Sequence, residues 1–238
     1  MEAKLKELVN RLQAAAKENL QAVALYGSAV TGEFHEGHSD INILCLVQRA
    51  GSSELEAFHG VAEWWTKKGN QPPLIFTREE LQRSADVFAI ELLDMKSRHR
   101  ILFGEEFLKD LEVPLNFHRL QVERELRINW LRLRQAILAA PLDAKAHLGI
   151  MTQSLSTFCA LFRHALFALG QPLPATKREA LAGTASLTGK DPGAFQALLD
   201  LREAKRNKNS IDVEASLRSY LAFVEAVTDE VDRRLGTQ

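Results

Sequence analysis

Four residues of this chain combine type and spacing in a way that suits chemistry: Gly27, Ser28, Asp40 and Asn42. The first two lie in Leu25-Tyr26-Gly27-Ser28. The others follow a polar loop broken by Gly32 and Gly37, in His38-Ser39-Asp40-Ile41-Asn42-Ile43-Leu44-Cys45-Leu46-Val47. Gly27 lets the backbone turn where a side chain would clash. N–H groups exposed at such a turn, together with the Ser28 hydroxyl, suit phosphate oxygens. Asp40 opens the next strand, placed to hold a hard cation beside that phosphate. Residues two apart on a strand point to one face, so positions 40 and 42 address a single ion site. Asn42 supplies an amide oxygen there, which can ligate Mg²⁺ but carries no charge and cannot serve as a base. One metal ion suits that pair. Two-metal phosphoryl transfer, in which the ions stabilise both the attacking and the leaving oxygen, is poorly served. Alone, a Gly-Ser pair is an ordinary tight turn; its spacing to Asp40 is what gives it meaning.

The elements that must position these residues follow from periodicity. Leu5, Leu8, Val9, Leu12 and Ala16 recur at helical spacing over residues 3–20. Residues 22–26 read as the first strand and 41–47 as a second, apolar enough to lie centrally in a sheet. Residues 53–68 read as a helix with Leu55, Phe58, Val61, Ala62 and Trp65 on its apolar side. Pro72-Pro73-Leu74-Ile75-Phe76-Thr77 reads as a third strand, its prolines favouring a strand start or an edge. Thr77 and Glu80 form a capping-box pattern for a following helix. Leu81, Ala85, Phe88, Leu92 and Met95 continue at 4-3-4-3 spacing. That spacing favours a helix over a strand through Glu91, with the strand reading kept open. Arg100 to Glu106 reads as a closing strand and turn, and Pro114 marks a linker. From Asn116 onward the pattern is helical: residues 116–139, 143–169, 176–187, 191–206 and 212–235, joined by short connections, predict an antiparallel bundle. Leu120, Leu126, Trp130, Leu133 and Ile137 mark the apolar face of the first of these.

The Gly27-Ser28 pair, the glycine-bearing loop and the Ser39-Asp40-Ile41-Asn42 run together resemble the nucleotidyltransferase superfamily signature. The two-domain order resembles kanamycin-type bacterial members, in which a helical domain follows the catalytic one. The resemblance implies an α+β fold: a mixed sheet with helices over residues 1–110, then an all-α bundle over 115–238, with a ligand cleft between them. It implies NTP as substrate or ligand, with Gly27, Ser28 and Ser39 as nucleotide-binding residues. It implies Mg²⁺ held by Asp40 and Asn42, with Asp40 catalytic, and transfer of a nucleoside monophosphate to a hydroxyl of a small molecule or protein. Family members use two acids, two apart, and a third from a later strand. Asn42 stands where the second acid belongs. Glu91 is the candidate for the third, and for the base, if its segment is a strand; under the helix reading the strand at Leu74–Phe76 offers no acid. A catalytically degenerate nucleotide-binding or partner-binding protein on the same fold is therefore the alternative. Family analogy adds a toxin–antitoxin role as a third reading.

In the helical half, Glu123 and Arg127 are an i,i+4 pair. Arg127 and Arg134 lie two turns apart on one side, so Arg127 is a candidate to grip phosphate bidentately; the plainer reading is a solvated, salt-bridged face. His35 and His38 flank the loop, where histidines that charge near neutrality can meet phosphate. His147 and His164 have no Cys or His at ligand spacing. The two cysteines, Cys45 and Cys159, sit in apolar contexts and read as buried free thiols of a reducing compartment. With 238 residues, 46% hydrophobic, and net charge −1, the chain carries no global attraction to nucleic acid. It has no apolar run long enough to span a bilayer and no signal-peptide pattern. A cytoplasmic location follows as the default expectation. The partners expected are a nucleotide and a small-molecule or protein acceptor, with oligomeric assembly left open.

Overall fold

The computed structural model describes residues 1–30 and 40–235. The chain divides into two compact units, Met1–Leu115 and Asn116–Gln238.

The first unit is α+β. Its elements in order are α1 (Glu2–Ala16), β1 (Leu20–Tyr26), β2 (Asn42–Val47), α2 (Ser52–Thr66), β3 (Leu74–Thr77), α3 (Arg78–Arg83), α4 (Ala89–Ser97) and β4 (His99–Gly104). The sheet runs β3-β2-β1-β4. β1 pairs antiparallel with β2 and β4, and β2 pairs parallel with β3, so the sheet is mixed. Side-chain alternation gives it two apolar faces. Leu20, Val23 and Leu25 of β1, with Ile43, Cys45 and Val47 of β2, meet Leu5, Leu8 and Leu12 of α1 and Phe58, Val61 and Trp65 of α2. Ala22, Ala24, Leu44 and Leu46 face the other way, onto Leu81, Ala85, Leu92, Met95 and the segment Phe107–Leu111. With both faces covered, the central strands read as continuous apolar runs. β4 ends at Gly104, where φ is +79 and an added Cβ would lie 2.0 Å from the Gln21 carbonyl oxygen.

The 81–95 pattern predicts one helix; the structure makes two. α3 opens on the predicted capping box, with the Glu80 N–H on Thr77 Oγ1 at 3.2 Å and the Thr77 N–H on Glu80 Oε2 at 2.8 Å. It stops at Arg83. Ser84 and Asp86, residues whose side chains compete for backbone hydrogen bonds, occupy the break. Leu81, Ala85, Leu92 and Met95 are buried as the spacing implied, but Phe88 in the break is 45% exposed.

The second unit contains α5 (His118–Ala139), α6 (Ala144–Ala168), α7 (Lys177–Thr188), α8 (Gly193–Arg202) and α9 (Val213–Leu235). α6 is its axis, burying Met151, Leu155, Phe158, Phe162 and Leu166 among others. Phe162 lies against Phe195 of α8 and Phe223 of α9, and Phe195 stacks on Tyr220 at 4.0 Å between centroids. α5 buries Val122, Leu126 and Leu133, whereas Leu120 is 65% exposed. Cys45 and Cys159 are free and buried. Among the described residues no helix is long and apolar enough to cross a membrane.

Candidate nucleotide site

β1 ends at Tyr26 and the chain turns at once. Gly27 has φ +78, in the left-handed region that favours glycine. Gly27–Ala29 is one 3-10 turn, closed by the Val30 N–H on the Gly27 carbonyl at 3.1 Å. A Cβ at Gly27 would also come within 3.0 Å of Asn42 Nδ2. Backbone and neighbour thus both require glycine here. Asn42 opens β2 as the Cα partner of Tyr26. Ile41 and Ile43 are buried in the α1–α2 core, so Asn42 between them turns toward the opposite face. Asp40 is exposed and Asn42 half-buried. Gly27, Ser28 and Asn42 therefore lie together at one corner, where β1 ends and β2 begins, with Asp40 two residues before Asn42 in the chain. Ser39, His35 and His38 lie outside the described residues.

The row through Asn42 extends across the sheet. Tyr26 pairs with Asn42 on one side and with His99 of β4 on the other. Tyr26 packs against the second apolar face, and burial pushes its phenol up to about 12. His99 Nδ1 faces the Met95 and Lys96 carbonyls at 2.9 and 3.2 Å, and its Nε2 meets Glu106 Oε1 and Oε2, each at 2.9 Å. Glu106 also accepts the backbone N–H groups of Leu108 at 2.9 Å and Lys109 at 3.1 Å. Burial alone would raise its carboxyl; the hydrogen bonds from His99, Leu108 and Lys109 outweigh that and hold it below the usual range. Sequence reasoning singled out none of Tyr26, His99 and Glu106. Tyr26 had a signal, its place directly before the turn. The His99–Glu106 pair arises only when β4 folds back.

Glu91 lies in the first turn of α4 and is exposed. The helix reading of its segment holds, and the strand beside β2 is β3, which runs Leu74-Ile75-Phe76-Thr77 and carries no acid. Leu74 pairs with Leu44, and so stands on the face of Asn42, 41% exposed. Among the described residues no three His, Cys, Asp or Glu side chains gather as a metal-holding group. Arg127 belongs to α5 in the second unit. There its Nε donates to Glu123 at 3.0 Å and its Nη2 meets Asp232 at 2.7 Å. Among the described residues of the first unit, one hollow of about 520 Å³ lies between α2 and Pro72–Ile75 and another of about 690 Å³ beside Arg78, Phe107 and Asp110. Neither is lined by the Gly27–Asn42 corner.

Residues 5–102 match the family model for a nucleotidyltransferase domain. No curated protein sequence matches the chain. Among solved structures, the chain is similar to spectinomycin adenyltransferase AAD(9) from Enterococcus faecialis with ATP and spectinomycin. The likeness has a TM-score of 0.55 at 15% identity and covers 94% of this chain and 99% of that one. At that identity it shows a shared fold. A chain of a toxin–antitoxin with AMP-PNP, 20% identical over 52% of this chain and 94% of that one, has a TM-score of 0.33, which carries no argument. The first unit thus carries a nucleotidyltransferase domain match over residues 5–102.

Proposed function

We propose that the first unit binds a nucleoside triphosphate together with one Mg²⁺. The transfer chemistry this corner serves, a nucleoside monophosphate onto a hydroxyl of a small molecule or protein, is in this reading strongly slowed by Asn42. The observation that carries the proposal is the left-handed Gly27 turn set against the Asn42 amide, with the exposed Asp40 two residues before it in the chain. Backbone N–H groups and the Ser28 hydroxyl there suit the β and γ phosphates. Mg²⁺ takes hard oxygen donors, typically one or two carboxylates plus ligand phosphates. Asp40 supplies an anionic oxygen and Asn42 a neutral one, a set that fits a single ion. When bound, that ion offsets phosphate charge and orients the chain of phosphates. The protein's own part is positioning, which supplies much of the acceleration in phosphoryl transfer.

A second reading, efficient transfer by the native chain, is favoured by the exposed carboxylate of Asp40 and by the family match of residues 5–102. Glu91 is then the carboxylate proposed to take the acceptor proton. One experiment separates the two: labelled NTPs with Mg²⁺ or Mn²⁺ and candidate acceptors, run on the native chain, Asp40→Ala and Asn42→Asp. We expect Asn42→Asp to exceed the native chain by on the order of a hundredfold, the scale of one well-placed electrostatic group. Robust native transfer, abolished by Asp40→Ala, establishes the second reading. Absence of nucleotide binding by both the native chain and Asn42→Asp overturns both.

A further inference from the structure

Asn42, Tyr26 and His99 stand abreast on β2, β1 and β4, each the Cα partner of the next. Their polar ends are not equivalent. Both nitrogens of His99 are committed, one to the Met95 and Lys96 carbonyls and the other to Glu106. The Tyr26 hydroxyl makes no hydrogen bond to any described residue, and it is not among the described polar atoms sealed from solvent without a partner. The ring, by contrast, is fixed: it packs on the apolar face formed by Ala22, Ala24 and Leu44. A phenol held by its ring with its hydroxyl left open is an uncommon arrangement inside a well-packed sheet, because Tyr hydroxyls usually find a partner when buried. Here the open hydroxyl belongs to the residue immediately before the Gly27 turn and directly beside Asn42.

Resting on the nucleotide-binding reading above, we propose that Tyr26 is a ligand-contacting residue of the site. Its hydroxyl donates to a phosphate oxygen of the bound triphosphate. The sheet register sets the placement, and the packed ring keeps the ordering cost low. A neutral donor at this point also adds no negative charge to a corner where Asp40 and the phosphates are already anionic.

The test is Tyr26→Phe, which removes one oxygen and keeps the ring. Titration calorimetry would use Mg·ATP and, as a probe lacking sugar and base, inorganic triphosphate with Mg²⁺. The native chain, Asp40→Ala and Tyr26→Phe would be compared, with melting temperature recorded for each without ligand. A hydrogen bond to a charged group predicts roughly tenfold weaker binding of both probes by Tyr26→Phe, with the melting temperature unchanged. Equal binding by Tyr26→Phe and the native chain, with Asp40→Ala weakened, overturns the Tyr26 contact while the nucleotide reading stands. Weakening for ATP alone moves the contact to the sugar or base and overturns the phosphate assignment. A lowered melting temperature shows that the hydroxyl serves the fold, and overturns it too. If the native chain binds neither probe, the nucleotide reading fails and the contact falls with it.

Discussion

At Gly27 a backbone angle and a neighbouring side chain impose the same requirement. The φ of +78 costs an L side chain about 1–2 kcal/mol, and a methyl there would press on the Asn42 amide at 3.0 Å. Gly27→Ala should therefore lower stability by about 1–2 kcal/mol in urea unfolding. It should also displace Asn42, so nucleotide binding should weaken further than the lost stability explains. Stability equal to the native chain would show that the turn accepts a side chain. The approach of Gly27 to Asn42 was legible because turn chemistry and strand alternation are local rules. The row that adds Tyr26 and His99 was not, because it depends on which strands lie side by side. Nothing in the spacing of residues 26, 42 and 99 encodes that adjacency. Asn42 was legible as a chemical departure through the resemblance, whose pattern puts an acid at that position.

Among the elements, helix ends were read well where a capping residue marks them. Thr77 accepts from Glu80, Asp143 from Ala146 at 2.8 Å, and Thr176 from Glu179 at 3.1 Å. The break at residues 84–88 was missed because the apolar period runs straight through it. The end of α8 shows a different economy. It closes with the Lys205 N–H on the Asp200 carbonyl at 2.8 Å and the Ala204 N–H on the Leu201 carbonyl at 3.2 Å. That pattern needs a left-handed residue, usually glycine, and Ala204 fills it at φ +55. Ala204→Gly should relieve the strain and raise stability by about 1 kcal/mol, read as a higher melting temperature. A fall would mean that the added freedom of the unfolded chain outweighs the relief.

On the scale of the molecule, acid sensitivity should arise in the second unit. His118 and His164 are buried there, with His118 Nε2 and His164 Nδ1 at 3.0 Å. Burial, and then the charge on His164, depress His118 from 6.5 to about 4. A depressed folded-state value means the stabilisation is fully present above pH 6.5 and is lost as pH falls through 4. Helical signal followed in urea should thus show stability declining across that window. His118→Gln, which keeps a donor or acceptor near the position of Nε2 without titrating, should flatten the decline. An unchanged slope would place the sensitivity elsewhere. The mixed α+β sheet class was readable through the resemblance carried by residues 27–42, while periodicity marked the individual strands and helices of the first half. The sheet order was not, since pairing β1 with β4 joins residues 73 to 82 positions apart, from Tyr26↔His99 to Ala22↔Gly104.

Gly104 bears on how a mutational survey of this protein is read. With the Gln21 carbonyl oxygen 2.0 Å from where a Cβ would sit, even alanine there must prise the outer strand away from its neighbour. Position 104 will behave as intolerant as any ligand-binding position, although its partner Ala22 stands at the other end of β1 from Gly27. A map of intolerant positions will therefore show two hot regions at opposite ends of one strand, one at the proposed nucleotide corner and the other purely steric.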